Sequence, residues 1–160
     1  MHNMRVLGID PGTARTGWAV LDRKKGKIEA IAFNCFETRK EEGVAERLEK
    51  IFHEIERLIK EYSPEIVAIE EVFFSSNAKT AFAVGQARGV IFLAAQIGKV
   101  KNCSYSPLKV KKTVTGYGRA EKKEMAEKVN SLLKLKELPK LDDTYDALAV
   151  ALTHLHLNEK

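Results

Sequence analysis

Apolar positions along the 160-residue chain alternate between short continuous runs and longer stretches with helical spacing. Arg5-Val6-Leu7-Gly8-Ile9-Asp10 is an apolar run that ends on an acid and meets Pro11-Gly12-Thr13, which predicts a buried strand entering a turn. Trp18 to Leu21 reads as a second strand, Lys24-Lys25-Gly26-Lys27 as a hairpin turn and Ile28 to Phe36 as a third strand, together an antiparallel meander. From Val44 to Tyr62 the apolar residues Val44, Leu48, Ile51, Ile55, Leu58, Ile59 and Tyr62 recur at steps of three and four, the mark of a helix with one apolar face, and Ser63-Pro64 stops it. Ile66 to Glu70 is again a buried strand ending on an acid.

The second half is mostly helical. A helix is predicted from about Ala78 to Ile97, with Gly85 and Gly89 four residues apart among alanines; small residues let another backbone approach, within the chain or from a second copy. Residues 100 to 106 suggest a fifth strand, and Pro107 opens a short helix. Gly116-Tyr117-Gly118 makes a loop, Glu121 to Leu135 a further helix, and Asp142 or Asp143 opens a last one that runs to Leu157. This order predicts an α/β fold over residues 1 to 160 as one domain. Its core is a five-stranded mixed sheet, three antiparallel strands followed by parallel additions, with helices on both faces.

Composition narrows the setting. With 44% apolar residues the chain can build one core, no uninterrupted apolar run approaches 18 residues, and Met-His-Asn-Met-Arg does not resemble a secretory leader. A soluble, cytoplasmic protein without a membrane partner is therefore expected. Cys35 and Cys103 lack metal-ligand spacing and read as reduced core residues. The net charge of +5 and isoelectric point near 9.1 favour a polyanionic partner. Much of that charge lies between Lys109 and Lys123, where Lys109, Lys111, Lys112, Arg119, Lys122 and Lys123 face Glu121 alone.

Asp10 and Glu70 end two apolar strands, while Asp143 and Asp146 sit three residues apart on the opening turn of the last helix and project from one face. Taken singly, each acid also suits a turn or a helix start. Taken together they could converge, and converging carboxylates repel unless cations or protons neutralise them; hard oxygen ligands of this kind suit Mg²⁺ or Mn²⁺. Two such ions about 4 Å apart can drive phosphodiester hydrolysis. Strand alternation places Glu70 and its neighbour Glu71 on opposite faces, and the residues alone leave open which one serves. His154 and His156 face apart on their helix and read as structural.

At these residues the sequence resembles the RuvC family of Holliday-junction resolvases, a branch of the RNase H-like nucleases. The motifs are Gly8-Ile9-Asp10-Pro11-Gly12 followed by Thr16-Gly17-Trp18, Ile69-Glu70-Glu71-Val72-Phe73, Asn77-Ala78, Gly85-Gln86-Ala87-Arg88-Gly89, Val110-Lys111, Ala120-Glu121-Lys122 and Asp143-Thr144-Tyr145-Asp146-Ala147-Leu148-Ala149. They run in order across nearly the whole chain. The resemblance implies an RNase H-like fold and a homodimer that binds four-way junction DNA and nicks two opposing strands. Each subunit would hold Mg²⁺, two ions, on Asp10, Glu70, Asp143 and Asp146, which selects Glu70 over Glu71. It implies that Lys111 helps bind DNA, that Lys122 lies near the scissile phosphate and that Phe73 stacks on a base near the crossover. It also implies association with the RuvA and RuvB branch-migration proteins. Tyr117 and Arg119, in the glycine-flanked loop, are candidate phosphate or groove contacts. Tyr145 departs from the family pattern, which has a small residue between the two acids.

Two other readings share these residues: a YqgF-type nuclease on the same fold that processes ribosomal RNA precursors, and a non-catalytic junction-binding subunit. An actin-like ATPase, suggested by the Asp10 turn, needs a second phosphate-binding turn and a second lobe for which 160 residues leave no room.

Overall fold

The computed structural model describes residues 2–72 and 77–159. Three strands open the chain, β1 (Met4–Asp10), β2 (Arg15–Lys24) and β3 (Lys27–Glu37), followed by helix α1 (Val44–Tyr62) and strand β4 (Ile66–Glu70). Then come α2 (Ala78–Ile97), β5 (Lys101–Tyr105), α3 (Pro107–Thr115), α4 (Lys122–Leu133) and α5 (Asp142–Leu157). The sheet order is β3-β2-β1-β4-β5, antiparallel across the first three strands and parallel across β1, β4 and β5. This is the predicted mixed five-stranded sheet.

Local chemistry accounts for the joints. Lys25 and Gly26 both have positive φ, 49° and 79°, the backbone of a type I′ turn, whose twist matches that of the two strands it joins. Ser106 caps α3 by accepting the Lys109 amide, with Pro107 in its first turn. Glu121 and Glu124 form a reciprocal capping box at the start of α4.

Side-chain alternation divides the core into two layers. Leu7, Ile9, Trp18, Val20, Val67 and Ile69 face α1 and α2, meeting Ile51, Ile55, Leu58, Ala87 and Ile91. Val6, Ala19, Leu21 and Ala68 face the other way, onto α5 and through it onto α3 and α4. Helix α5 is buried over most of its length, which explains why its Ala and Leu positions show no simple one-sided pattern.

Several expectations are corrected here. Strand β2 has ten residues against the four of its apolar stretch Trp18–Leu21, because the polar residues Asp22 and Arg23 that follow that stretch are buried with it. Asp22, with only 4% of its side chain exposed, accepts from Arg5 Nε and Nη2 at 2.6 and 2.8 Å and pairs with Lys24 at 2.9 Å. Arg23 is buried and donates from Nη1 to the Leu155 carbonyl at 2.8 Å, at the negative end of the α5 dipole. Cys35 and Cys103 are free thiols and only half-buried, Cys103 packing against the core and Cys35 lying apart from it. Helix α2 is long and apolar enough to cross a membrane by composition alone. Its apolarity is divided between the α1 contact and an outward stripe of exposed Phe82, Leu93 and Ile97.

His154 is buried and structural, as expected. The Tyr105 hydroxyl lies within hydrogen-bond distance of its Nδ1, at 2.8 Å, and burial, together with the charge of Arg23, lowers its pKa.

The Asp22 pair yields a stability prediction. Its carboxyl is held below the usual carboxylate range by the hydrogen bonds from Arg5, against opposing burial, with Lys24 adding to the effect. Stability from a depressed acid is present above its unfolded pKa of about 4 and is lost as pH falls through the lower folded value. Asp22→Ala should therefore cost about 2–3 kcal/mol at pH 7, and the gap to the parent should close in denaturant melts near pH 2.

Candidate active site

Asp10 is the last residue of central strand β1 and Glu70 the last of its parallel neighbour β4, one step beyond the register pair Ile9–Ile69. Equivalent positions on parallel neighbours point to the same face, and here that face is the α5 side, shared with Val6, Gly8 and Ala68. The opening turns of α5 arrive above them carrying Asp146. Carboxylate oxygens of Asp10, Glu70 and Asp146 all lie within 4.8 Å of one another, and each residue is half-buried.

Two glycines permit this approach. A Cβ on Gly8 would overlap the Ala147 carbonyl and lie 2.8 Å from the Ala151 Cβ, and one on Gly17 would overlap the Asp143 carbonyl. Gly8 and Gly17 form the part of the sheet floor on which the first half of α5 rests. Both glycines belong to motifs of the sequence, but their part in seating α5 is not evident there; the available signal, a glycine inside a strand, marks a close backbone approach. The buried Thr16 hydroxyl shapes the turn after Asp10 by donating to the Gly12 carbonyl at 2.8 Å.

The electrostatics follow from crowding. Asp10 is pushed well above the normal carboxylate range, first by burial and then by the charges of Glu70 and Asp146. Glu70 is raised to about 7, again chiefly by burial, although the Lys111 charge works the other way. Asp146 is raised to about 6 by burial, against Lys122 and with the charges of Asp143 and Asp142 adding to the rise. Among the described residues no lysine or arginine forms an ion pair with any of the three. Three carboxylates sharing one partly desolvated point without a side-chain cation form a donor set that fits a hard divalent metal.

Asp143 stands outside this trio. Its Oδ2 lies 3.7 Å from Arg15 Nη1, and its charge is felt by all three acids. Glu71 is exposed and ties β4 to β5 through its amide to the Tyr105 carbonyl at 2.9 Å, so the structure, too, separates it from Glu70. Lys122 is exposed at the first residue of α4 and pairs with Asp142 at 3.3 Å. Lys111, on α3, is half-buried on the Glu70 side. Tyr117 and Arg119 are exposed in the α3–α4 loop. Phe73 lies outside the described residues.

Asp10, Glu70, Asn77 and Thr80 line a cleft of about 330 Å³ between the strand ends and the start of α2. A larger depression of about 1030 Å³ beside α1 has Lys50 paired with Glu42 and Glu46 and Arg57 with Glu54 in its lining, and none of the three acids that gather within 4.8 Å of one another belongs to it.

A sheet of order β3-β2-β1-β4-β5 with acids delivered from β1, β4 and α5 to one point defines a nuclease of the RNase H-like class. Residues 6–154 match the model of the family described as crossover junction endodeoxyribonuclease RuvC, and the chain belongs to that family. A Fusobacterium nucleatum protein of that name is 46% identical over 153 residues, covering 96% of this chain and 80% of the relative. A Caldanaerobacter subterraneus homologue of the same name is 48% identical over 97% of this chain and 94% of its own. The structure of Thermus thermophilus RuvC in complex with a Holliday junction substrate superposes with a TM-score of 0.90 at 36% identity, covering 96% of this chain and 94% of that one.

Proposed function

We propose that this chain is a metal-dependent endonuclease that resolves four-way DNA junctions by symmetric nicking of two opposing strands. The observation that carries the reading is the meeting of Asp10, Glu70 and Asp146 within 4.8 Å at the ends of three separate elements. The name shared by the relatives supplies the substrate class.

Asp10, Glu70 and Asp146, joined by Asp143, would hold Mg²⁺, two ions per subunit, with Mn²⁺ able to substitute. The bound cations supply charge neutralisation at the phosphate and make water a stronger nucleophile near neutral pH. The protein's own part is positional. Strands β1 and β4 fix Asp10 and Glu70 in the sheet, and the glycine floor sets the height of Asp146 above them. Lys122 lies where its charge reaches Asp146 and stabilises negative charge developing at the scissile phosphate. Lys111, whose charge acts on Glu70, and the exposed Arg119 and Tyr117 of the α3–α4 loop would serve as phosphate contacts that orient the strand without reading its sequence. Association with RuvA and RuvB belongs to the same reading.

A homodimer fits the outward face of α2. Phe82, Gly85, Gly89, Leu93 and Ile97 fall at helical steps and are all exposed, and a Cβ on either glycine would meet nothing within 4 Å. The small residues therefore serve no contact inside the described part of the chain and leave room for the same helix of a second copy. Leu93→Glu should weaken self-association by about 100-fold or more, read as a monomer in sedimentation at micromolar concentration; an unchanged dimer would place the interface elsewhere.

Incubation with a synthetic mobile four-way junction, with Mg²⁺ and with EDTA, tests the activity when nicks are mapped on all four strands. Paired nicks on opposing strands that vanish in EDTA are expected. Preference for structured RNA would favour a YqgF-type nuclease, and binding without cutting a non-catalytic junction subunit.

A further inference from the structure

Arg15 opens β2 and points to the same face as Gly17 and Ala19, the face covered by α5. Its guanidinium is half-exposed and bridges two acids, with Nη1 3.7 Å from Asp143 Oδ2 and Nε 3.7 Å from Glu37 Oε1. Gly17 packs against the Asp143 backbone, so the main chain of Asp143 is fixed and only its side chain can turn. That carboxylate shares a helix face with Asp146, yet it lies outside the trio that Asp146 joins. It has two destinations, the Arg15 guanidinium or the acid cluster.

Resting on the metal-nuclease reading above, we infer that Arg15 is a positioning residue that holds the Asp143 carboxylate in reserve beside the metal cleft, and so sets how tightly the cluster takes up divalent cations. Without a cation, a fourth carboxylate entering a site already crowded by three would add like charge at close range, while the Arg15 contact offers Asp143 a partner of opposite sign. When a cation is present, the same carboxylate is attracted inward and must leave Arg15 to reach it. The ion pair is then a competitor of metal binding.

The test is calorimetric titration of the full chain with Mn²⁺ and no DNA, so that turnover plays no part in the readout. Arg15→Met should bind Mn²⁺ about three- to fivefold more tightly than the parent, the range expected for losing one exposed ion pair. Removing a positive charge could tighten binding by its field alone, so a double-mutant cycle separates the two causes. In an Asp143→Asn background, Arg15→Met should leave Mn²⁺ affinity unchanged; an equal gain in both backgrounds overturns the positioning role. Arg15→Gln, polar and uncharged, should reproduce the Met variant, and melting curves of both establish that the fold is intact. Parent-like affinity in both variants overturns the inference and leaves the nuclease reading standing. Failure of the parent itself to bind Mn²⁺ at millimolar concentration overturns the metal reading, and this inference with it.

Discussion

Asp10→Asn is expected to lower junction cleavage by about a thousandfold or more while leaving junction affinity within a few fold of the parent. If Asp10 anchors the metals as proposed, its loss would remove several kcal/mol of transition-state stabilisation, and each 1.4 kcal/mol is about tenfold in rate. Binding should survive because phosphate contacts supply most of the affinity, and the proposed contacts Lys111, Arg119 and Lys122 remain. Single-turnover cleavage and gel-shift titration on the same junction check both halves; full-rate cleavage would remove Asp10 from the site.

The same substitution should stabilise the metal-free protein. Burial and mutual repulsion raise the pKa values of Asp10, Glu70 and Asp146, with Glu70 at about 7 and Asp146 at about 6. A carboxyl raised in the folded state binds more protons there than in the unfolded chain between the two pKa values. Its contribution is fully present below the unfolded value of about 4 and is lost as pH rises through the folded value. In EDTA the parent should therefore lose stability from about pH 5 to 8, and Asp10→Asn should melt higher than the parent at pH 8. Added Mg²⁺ should reverse the order, because only the parent's intact site binds it tightly. The cluster is a place where function is retained at the expense of stability.

The second large effect belongs to the glycine floor. Gly17→Ala places a methyl group on the Asp143 carbonyl, and Gly8→Ala places one on the Ala147 carbonyl, both backbone atoms of a buried helix that cannot swing aside. Each should destabilise by about 3 kcal/mol or more, lowering the melting temperature by about 10 °C. Gly17→Ala should also depress cleavage below the melting point, because lifting the start of α5 carries Asp146 away from Asp10. A Gly17→Ala protein with normal melting and normal cleavage would mean that α5 does not rest on β2 as described.

The contrast between Asp10 and these glycines shows what could be read from one chain. Strands β1 and β4 announce themselves as apolar runs ending on acids, and α1 as an apolar face with helical spacing, because burial on one or both sides writes itself locally. Asp10 is therefore legible from its strand, whereas the choice of Glu70 over Glu71 comes only with the family resemblance. Strand β2 is not legible in this way, since Asp22 finds its partner in Arg5 of β1 and Arg23 bonds the Leu155 carbonyl of α5, neither of which its local pattern contains. The shared face of Asp143 and Asp146 was legible from their spacing, but not that Asp143 would lie apart, which depends on a half-exposed arginine of another strand. The cysteines were placed too deep, because residue type alone does not distinguish an edge strand from a central one. The stripe on α2 was visible as small residues, and only the emptiness above Gly85 and Gly89 turned it outward.

Helix α5 is tied to β2 at both ends, by the Gly17 contact at Asp143 and by Arg23 at Leu155, and lies buried between. Its amide protons can then exchange with solvent only when the sheet separates, so the cutting centre has no opening cheaper than loss of the whole fold. As the protein is warmed, cleavage should persist up to the unfolding transition and disappear with it, without an inactive yet folded interval beforehand.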